Sequence, residues 1–291
     1  MQMYVIMGGT GHVGSATADI LLNRGKAVTI VTRYSSRVSG WRAKGAEIVE
    51  ADVNHVSSLH AALRRGRRAL LLNPPADPTT DTDAVERCTI ANILAALAGS
   101  GLEKVVAVST GGAQSGDRIG DLSTLWQLEE GLRQQSIPAA INRGAYYMSN
   151  WDSLLDTVCS TGKLPSMFPA DLPIPMVAPQ DLGRFAADRL LSGTDDAGVR
   201  YVEGPKRYSS AEVARAFSKA LGRPIDVEVT PRVEWYDAFL RLGFSEAAAL
   251  SYTRMTEVSL DNGFDMPAEA LGGTTTLERY INSLVARSET S

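Results

Sequence analysis

Short, continuous apolar runs alternate with amphipathic segments through the first half of the chain. Continuous runs are typical of strands buried on both faces of a parallel sheet, whereas half-exposed strands alternate apolar and polar residues. The runs predict strands over residues 4–7, 28–31, 47–49, 69–72, 105–108 and 139–141. Between them, helical spacing of apolar residues predicts helices over residues 13–23, 56–63, 82–98 and 124–135. The alternation predicts an α/β fold, a Rossmann-type doubly wound parallel sheet with helices on both faces.

The second half of the chain has a different pattern. Residues 162–179 are predicted to form loops because they contain Pro165, Pro169, Pro173, Pro175 and Pro179. Helices are predicted over residues 180–191 and 209–221, a short strand over 200–202 and an edge strand over 227–230. We therefore expect a Rossmann domain formed by residues 1–145, with residues 176–203 returning to it. A smaller, mostly helical lobe is expected from residues 146–175 and 204–291.

Charge and composition exclude several partner classes. The net charge is −4, and the basic residues are scattered, so the chain has no basic stripe for nucleic acid. The densest basic cluster is interpreted as a solvated helix end and consists of Arg64, Arg65, Arg67 and Arg68. The sequence shows no signal peptide and no apolar run of the roughly 20 residues that span a membrane, so we expect a cytoplasmic protein without a membrane partner. Cys88 and Cys159 lack partners at metal-ligand spacing, and we expect two buried free thiols and no metal site.

A glycine-rich turn follows the first predicted strand and opens the first predicted helix. Its motif is Gly8-x-x-Gly11-x-x-Gly14. In a dinucleotide-binding turn, one glycine forms the tight bend, one admits the pyrophosphate, and one lets helix and strand pack closely. The helix N-terminus then offers N–H groups to the phosphates. The sequence therefore predicts a dinucleotide site that includes Gly8, Thr10, Gly11, His12, Val13 and Gly14.

The end of the second strand indicates which dinucleotide is bound. NAD sites place an acidic residue there for the ribose hydroxyl, but here the strand ends at Arg33, with Arg37 close behind. A guanidinium can pair with a 2′-phosphate through two hydrogen bonds. We therefore expect NADP(H) to be preferred over NAD(H); a solvated loop is the alternative interpretation of both arginines.

Further cofactor contacts are predicted where the other strands end, because ligands of such sheets bind at the carboxyl ends of the strands. The predicted residues are Asp52, Val53, Asn73, Pro74, Pro75, Ser109, Thr110, Asn142 and Gly144. For Asn73-Pro74-Pro75, a stiff loop without a ligand is an equally good interpretation.

These motifs resemble those of the NmrA-like branch of the atypical short-chain dehydrogenase/reductases. The resemblance covers about residues 3–230 and rests on Gly8 to Gly14, Arg33, Asn73-Pro74-Pro75, Ser109-Thr110-Gly111-Gly112-Ala113, Tyr147-Met148-Ser149-Asn150 and Pro179-Gln180-Asp181-Leu182-Gly183-Arg184. It implies that the smaller lobe binds the substrate and that the nicotinamide lies in a cleft between lobe and sheet. Members of this branch include NADPH-dependent quinone reductases, isoflavone-reductase-like enzymes and non-enzymatic redox sensors that bind regulatory proteins.

The acid–base residues common in this superfamily are missing. None of the nine tyrosines is followed four positions later by a lysine, so the usual Tyr-x-x-x-Lys pair is absent. The resemblance also places Leu125 or Trp126 where related reductases often carry a His or Lys. The three histidines, His12, His55 and His60, lie in the phosphate loop or toward the adenine end.

The remaining candidates follow strands five and six or lie on the helix between them. Tyr146 is predicted as the catalytic hydrogen-bond donor, and Tyr147 and Trp126 as further substrate contacts; Ser109 and Asn142 are weaker candidates for the chemistry. Packing between lobe and sheet is the alternative for both tyrosines, and core packing is the alternative for Trp126.

Two hypotheses follow. The first is an NADPH-dependent reductase that passes hydride directly to a small electron-poor substrate such as a quinone, a reaction that needs little acid–base help. The second is a non-catalytic NADP(H) sensor that acts through a regulatory protein partner. Either form is compatible with a homodimer. An epimerase that uses bound cofactor is disfavoured by the missing Tyr-x-x-x-Lys pair.

Overall fold

The computed structural model describes residues 3–34, 38–262, 264 and 266–288. Its strands are β1 (Met3–Ile6), β2 (Ala27–Thr32), β3 (Glu47–Glu50), β4 (Arg68–Leu71), β5 (Lys104–Thr110), β6 (Ala139–Gly144), β7 (Tyr146–Tyr147), β8 (Lys163–Ser166), β9 (Ile174–Val177), β10 (Gly198–Glu203), β11 (Arg207–Tyr208), β12 (Asp226–Val229) and β13 (Leu271–Gly272). Its α-helices are α1 (His12–Asn23), α2 (Ser39–Ala43), α3 (Val56–Leu63), α4 (Thr82–Leu97), α5 (Asp121–Arg133), α6 (Leu155–Thr161), α7 (Pro179–Leu191), α8 (Ser210–Leu221), α9 (Trp235–Arg241), α10 (Glu246–Asp261) and α11 (Leu277–Ser288).

The central element is a parallel sheet with the strand order β3-β2-β1-β4-β5-β6-β10-β13. Successive side chains of a strand point to opposite faces, so each continuous apolar run supplies both cores. In β1, Ile6 packs in the core with α1 and α7, and Val5 packs in the core with α3, α4 and α5. This confirms the predicted α/β Rossmann-type fold with helices on both faces.

A third core lies beside this sheet and includes Met148, Trp151, Phe217 and Ile281, all buried. It is surrounded by α6, α8, α11 and two small sheets, one with the order β11-β9-β7 and one that pairs β12 with β8. Helix α8 begins where predicted, because the Ser209 hydroxyl accepts from the Glu212 N–H and the Glu212 carboxylate accepts from the Ser209 N–H.

The prediction of loops throughout residues 162–179 is wrong, since β8 and β9 lie within them. Pro165 is opposite Glu228 in one small sheet, and Pro175 is opposite Arg207 in the other. Proline has no N–H donor and occurs mainly at sheet edges, so the local sequence of β8 and β9 gave little indication that they are strands. Distant segments of the chain complete both sheets and thereby define the strands.

Three further features differ from expectation or refine it. β13 pairs with β10 in the central sheet, although residues 204–291 were predicted for the smaller lobe. Cys88 and Cys159 are exposed rather than buried. Helix α5 begins at Asp121, three residues before its predicted start, which brings an acidic side chain into its first turn. The division of the chain into two lobes stays a prediction.

Within the described residues, no helix is both long enough and apolar enough to cross a lipid bilayer.

Helices α1 and α7 pack so closely that a side chain is excluded between them. A Cβ atom at Gly183 would lie 2.5 Å from Cβ of Ala16 and 2.9 Å from the backbone nitrogen of Thr17. We therefore predict that Gly183→Ala lowers the free energy of unfolding by about 1–3 kcal/mol, the usual cost of overpacking. Urea denaturation measures the change.

Gly40→Ala is the matched control, because a Cβ atom at this helical position meets nothing within 4 Å. Alanine is favoured over glycine inside a helix by up to about 1 kcal/mol, so this variant should be at least as stable as the wild type. Wild-type stability of Gly183→Ala would contradict the packing argument.

Candidate functional site

The glycine-rich turn joins β1 to α1 in a closed loop. Gly8 adopts a left-handed conformation, with φ of +63°, and its carbonyl accepts a hydrogen bond from the Gly11 N–H at 2.9 Å. A Cβ atom at Gly14 would lie 2.1 Å from the Gly8 oxygen, so only glycine fits there. At Gly11 the nearest atom to a Cβ would be the same oxygen at 3.4 Å, which leaves the outer side of the loop open.

The N-terminus of α1 is uncapped. Its cap residue, Gly11, makes no side-chain hydrogen bond to the first turn, and the first turn contains no acidic residue. The N–H groups of a helix's first turn have no partner within the helix and carry partial positive charge. The loop is therefore shaped and polarised for an anionic group, with Thr10 and His12 exposed beside it and Val13 buried beneath it.

Arg33 is exposed at the predicted adenine end. Arg33 follows β2 and lies 5.7 Å from the centroid of the Tyr34 ring, while Arg37 lies outside the described residues. The Asp52 carboxylate accepts from the Asn54 backbone N–H at 2.9 Å, so it stabilises its own turn. Val53 is half-buried against the core on that side of the sheet.

A cleft of about 800 Å³ opens at the carboxyl ends of the central strands. The sheet side of the cleft is formed by residues that follow β4, β5 and β6, including Leu72, Asn73, Thr110, Gly111, Gly144 and Ala145. The opposite side is largely apolar and aromatic and includes Tyr146, Trp151, Phe168, Tyr252, Met255 and Phe264. The glycine-rich loop adjoins the cleft: Gly8 packs against Leu72, and His12 Nε2 lies 4.0 Å from the Asp152 carboxylate, next to Trp151.

The structure brings together most of the side chains predicted at the cleft. Those that line it are Asn73, Pro75, Thr110, Gly144, Tyr146 and Tyr147. Gly144 has a packing role, because a Cβ there would lie 2.8 Å from the Tyr147 ring. Asn73 accepts a hydrogen bond from the Thr89 hydroxyl at 2.7 Å, which anchors the segment after β4 to α4. Pro74, between Asn73 and Pro75, is half-buried.

Two predicted polar residues point into the core instead. The Ser109 hydroxyl is fully buried and donates to Glu129 at 2.6 Å, within an ion pair of Glu129 with Arg143. The Asn142 amide oxygen accepts from Arg189 at 3.1 Å, and its side chain is also fully buried. The expectation that these side chains reach the reacting groups is wrong, because both belong to buried networks beneath the sheet edge.

The predicted substrate contact on α5 is displaced by one residue. Leu125 lines the cleft, whereas Trp126, which is half-buried, does not. Adjacent residues of a helix point about 100° apart, so one position decides which side chain faces a ligand. The expectation for Trp126 is therefore corrected in favour of Leu125.

Tyr146 and Tyr147 remain neutral phenols. The Tyr146 ring packs edge-on against Phe168 and tilted against Trp151, with ring centroids 5.4 Å and 5.7 Å away. Burial raises the pKa of Tyr146 to about 12, although a hydrogen bond with Asn150 opposes the shift. Burial and the negative charge of Asp121 raise the pKa of Tyr147 as well. Each can donate a hydrogen bond to a ligand, but neither releases its proton near neutral pH.

Sequence reasoning missed two acidic residues of the cleft wall, Glu86 of α4 and Asp121 of α5. The Glu86 carboxylate accepts from the hydroxyl of Thr124, three residues after Asp121 on α5, so the two carboxyl groups are neighbours in the wall. Burial and the negative charge of Asp121 raise the pKa of Glu86 to about 8, and desolvation inside the cleft raises the pKa of Asp121. In the sequence, each is an ordinary acidic residue of an amphipathic helix. For Asp121, only a prediction that α5 begins at this residue could have indicated its position in the wall.

Known proteins resemble this chain in sequence and in fold. A nitrogen metabolite regulation-like protein of Gibberella fujikuroi is 24% identical, over 76% of this chain and 74% of its own length. Triphenylmethane reductase of Citrobacter sp., solved in complex with NADP(H), has a TM-score of 0.79 at 17% identity and covers 98% of this chain and 100% of its own. An NADPH-dependent quinone oxidoreductase of Escherichia coli, solved with NADPH, has a TM-score of 0.77 at 18% identity and covers 97% and 99%.

At these identities the solved structures establish the shared fold alone. The family model described as the NmrA-like family matches residues 2–281, nearly the whole length of the sequence. The chain therefore belongs to the NmrA-like family.

Proposed function

We propose that this protein is an NADPH-dependent reductase that transfers hydride directly to a small, planar, electron-poor substrate such as a quinone. The observation that carries this proposal is the cleft itself. It is a largely apolar, aromatic-walled space of about 800 Å³, and it adjoins the glycine-rich loop at the carboxyl ends of the strands. Ligands of doubly wound sheets bind at this edge, and pockets of this size accommodate small molecules.

The glycine-rich loop fits a dinucleotide. The pyrophosphate would be held by the turn of Gly8, Gly11 and Gly14 and by the N–H groups at the start of α1, with Thr10, His12 and Val13 beside it. Arg33 and Arg37 would hold the 2′-phosphate that distinguishes NADP(H) from NAD(H). The bound cofactor supplies the hydride. The chain supplies orientation, and well-oriented reactants can gain several kcal/mol over free collision.

The cleft wall suits a planar acceptor. The aromatic side chains opposite the sheet offer flat apolar surfaces and exclude water, which strengthens the polar contacts that remain. Tyr146 and Tyr147, neutral at physiological pH, would donate hydrogen bonds to a carbonyl or quinone oxygen. The E. coli and Citrobacter proteins, whose names state reduction of quinones and of triphenylmethane dyes, support this substrate class by analogy.

A non-catalytic NADP(H) sensor is the second candidate. The missing Tyr-x-x-x-Lys pair and the likeness to a protein named for nitrogen metabolite regulation favour it. A sensor would bind NADPH without turning over any acceptor and would act through a protein partner or a change of oligomeric state, for example a homodimer that forms or dissociates with cofactor.

Turnover separates the two candidates. We expect purified protein to consume NADPH, measured by loss of its absorbance, with members of a panel of quinones, azo dyes and activated carbonyls. Tyr146→Phe should slow quinone reduction roughly 2- to 10-fold, since one neutral hydrogen bond contributes about 0.5–1.5 kcal/mol. Tyr236→Phe, a half-buried tyrosine on α9 away from the cleft lining, is the control. Tight NADPH binding without turnover of any panel member would favour the sensor.

Cofactor preference is tested at Arg33. We expect Arg33→Ala to raise the Kd for NADPH roughly 10- to 100-fold, because a charge-assisted hydrogen bond contributes about 1.5–3 kcal/mol. The Kd for NADH should stay close to the wild-type value, since NADH has no 2′-phosphate. Arg42→Ala, another exposed arginine nearby on α2, is the control. Equal wild-type affinities for NADPH and NADH would contradict the preference.

The glycine-rich loop is tested by two alanine substitutions with different expected effects. Gly11→Ala adds only an ordinary 3.4 Å contact, so the free protein should unfold near the wild-type urea midpoint. The added methyl group occupies space that the pyrophosphate would approach, and we expect the Kd for NADPH to rise roughly tenfold or more, about 1.4 kcal/mol.

Gly14→Ala places Cβ 2.1 Å from the Gly8 oxygen and should lower the free energy of unfolding by about 1–3 kcal/mol. Gly272→Ala, where a Cβ meets nothing within 4 Å, controls for the substitution itself. Unchanged NADPH affinity in Gly11→Ala would place the pyrophosphate elsewhere.

A further inference from the structure

Two carboxyl groups meet in the wall of the cleft. Glu86 is buried, and its carboxylate accepts from the Ala76 backbone N–H at 3.2 Å and from the Thr124 hydroxyl at 3.1 Å. Thr124 lies three residues after Asp121, the first residue of α5, so the Glu86 carboxylate and Asp121 are neighbours in the cleft wall. Asp121 is exposed, but the surface it exposes lines the cleft. A bound substrate would therefore cover it.

Two neighbouring carboxyl groups in a largely apolar wall favour the retention of one proton. Two ionised carboxylates are both acceptors and repel each other, whereas an acid beside a carboxylate can donate to it. Within the described residues, neither Glu86 nor Asp121 has a Lys, Arg or His nitrogen within 4.0 Å that could stabilise a second negative charge. Burial together with this repulsion raises the pKa of Glu86 to about 8, so the pair retains a proton at neutral pH.

The arginines around the pair either form ion pairs with other residues or form no ion pair with the two carboxyl groups. On α4, Arg87 pairs with Asp83 at 2.7 Å, and before α5, Arg118 pairs with Asp81 at 2.9 Å. On α9, the exposed Arg241 lines the cleft without an ion pair to either carboxyl group in the part of the chain described.

The phenols that face the pair cannot replace it as a proton source. Burial raises the pKa of Tyr252 of α10, and the negative charges of Asp121 and Glu86 raise it further. Burial of Tyr147 and the negative charge of Asp121 likewise raise the pKa of Tyr147. Among the ionisable side chains of the cleft wall, the carboxyl pair alone combines a proton with a pKa near neutrality within the described residues.

We propose that the Glu86–Asp121 pair is the proton donor of the reaction and transfers its shared proton to the acceptor oxygen when hydride is delivered. This inference rests on the proposed reductase function and adds the catalytic acid that the missing Tyr-x-x-x-Lys pair would otherwise supply. A general acid held within reach of the reacting oxygen typically contributes 10²- to 10⁴-fold to the rate, roughly, when its pKa lies near the working pH.

The step is balanced in atoms, electrons and charge. The quinone or carbonyl acceptor gains a hydride, which carries two electrons, and its oxygen gains the proton of the carboxylic acid. NADPH is oxidised to NADP⁺, and the acid becomes a second carboxylate. The positive charge formed on the cofactor offsets the negative charge formed on the pair, and a proton from water restores the acid after product release.

The proposal separates two classes of acceptor. A neutral quinone or carbonyl needs both hydride and proton, and its reduction should depend on the pair. A cationic triarylmethane dye accepts hydride at its central carbon and becomes neutral without a proton, so its reduction should not depend on the pair. A role limited to holding the fold or the cleft shape would affect both acceptors alike.

The experiment compares Glu86→Gln and Asp121→Asn with wild type on one quinone and one cationic triarylmethane dye. In either variant an amide donates to the remaining carboxylate, which then ionises without a shared proton. We expect kcat with the quinone to fall roughly 100-fold or more and kcat with the dye to stay near the wild-type value. Asp117→Asn, an exposed carboxylate just before α5 that pairs with Arg254, is the matched control and should behave as wild type.

The pH profile gives a second prediction of the same proposal. In wild type, the protonated pair is the active form, so kcat with the quinone should be constant at low pH and fall as the pH rises through about 8. The dye reaction should lack this fall, and so should the residual quinone reaction of both variants.

Infrared spectroscopy tests the shared proton without turnover. The carbonyl stretch of a protonated carboxyl group, shifted by exchange into D₂O, should be present at pH 7 in wild type and Asp117→Asn. It should be lost in Glu86→Gln and in Asp121→Asn. Equal loss of activity on both acceptors, no loss on the quinone, or no such band in wild type would each overturn the proposal.

A failure of the reductase function would look different. Wild-type protein would then bind NADPH but turn over neither acceptor, and the proton-donor role would fall with the function. The infrared band would still report whether the pair holds its proton, so the physical observation and the function are judged separately.

Discussion

The site depends on one close approach, between the first turn of α1 and the carbonyl of Gly8. No side chain fits between them, since even a methyl group at Gly14 would overlap the Gly8 oxygen. This approach brings the uncapped N-terminus of α1 directly over the end of β1, and it fixes where the helix runs across the sheet. A second close approach, at Gly183, then sets α7 against α1. The anion-binding end of the helix is thus held by backbone packing, which is more rigid than side-chain contacts.

Buried polar networks beneath the sheet edge keep other charges out of the cleft. Glu129 is held by Arg143 and Ser109, and Arg189 is held by Asn142 and Asp196, so the charged groups of both networks have partners within the core. Burying charges in this way is costly unless each has a partner. Glu86 and Asp121 differ because the partner of each is another acid. The proton that this arrangement retains is the feature of the cleft that distinguishes it chemically from a purely apolar pocket.

The cleft wall opposite the sheet is formed by residues that are distant in sequence. Trp151 and Phe168 follow the sixth strand, whereas Tyr252 and Met255 belong to α10. The Tyr146 ring packs against Trp151 and Phe168, and Phe168 packs against Phe264. These contacts join the segment after β6 to Phe264, which follows α10. The width of the cleft, and hence the size of acceptor it admits, is set by this packing.

Local chemistry along the chain determined the fold class, the glycine-rich turn, and the order in which the first six strands and the helices between them follow one another. Continuous apolar runs, glycine spacing and a capping box at Ser209 act over a few residues, so they can be recognised without the structure. The tertiary structure alone decided that Leu125 rather than Trp126 faces the cleft, that Ser109 and Asn142 point inward, and that Pro165 and Pro175 lie in strands. It alone decided that two acidic helix residues, Glu86 and Asp121, line the same cleft. Burial and charge–charge distance are properties of pairs of segments, and no single segment of sequence contains them.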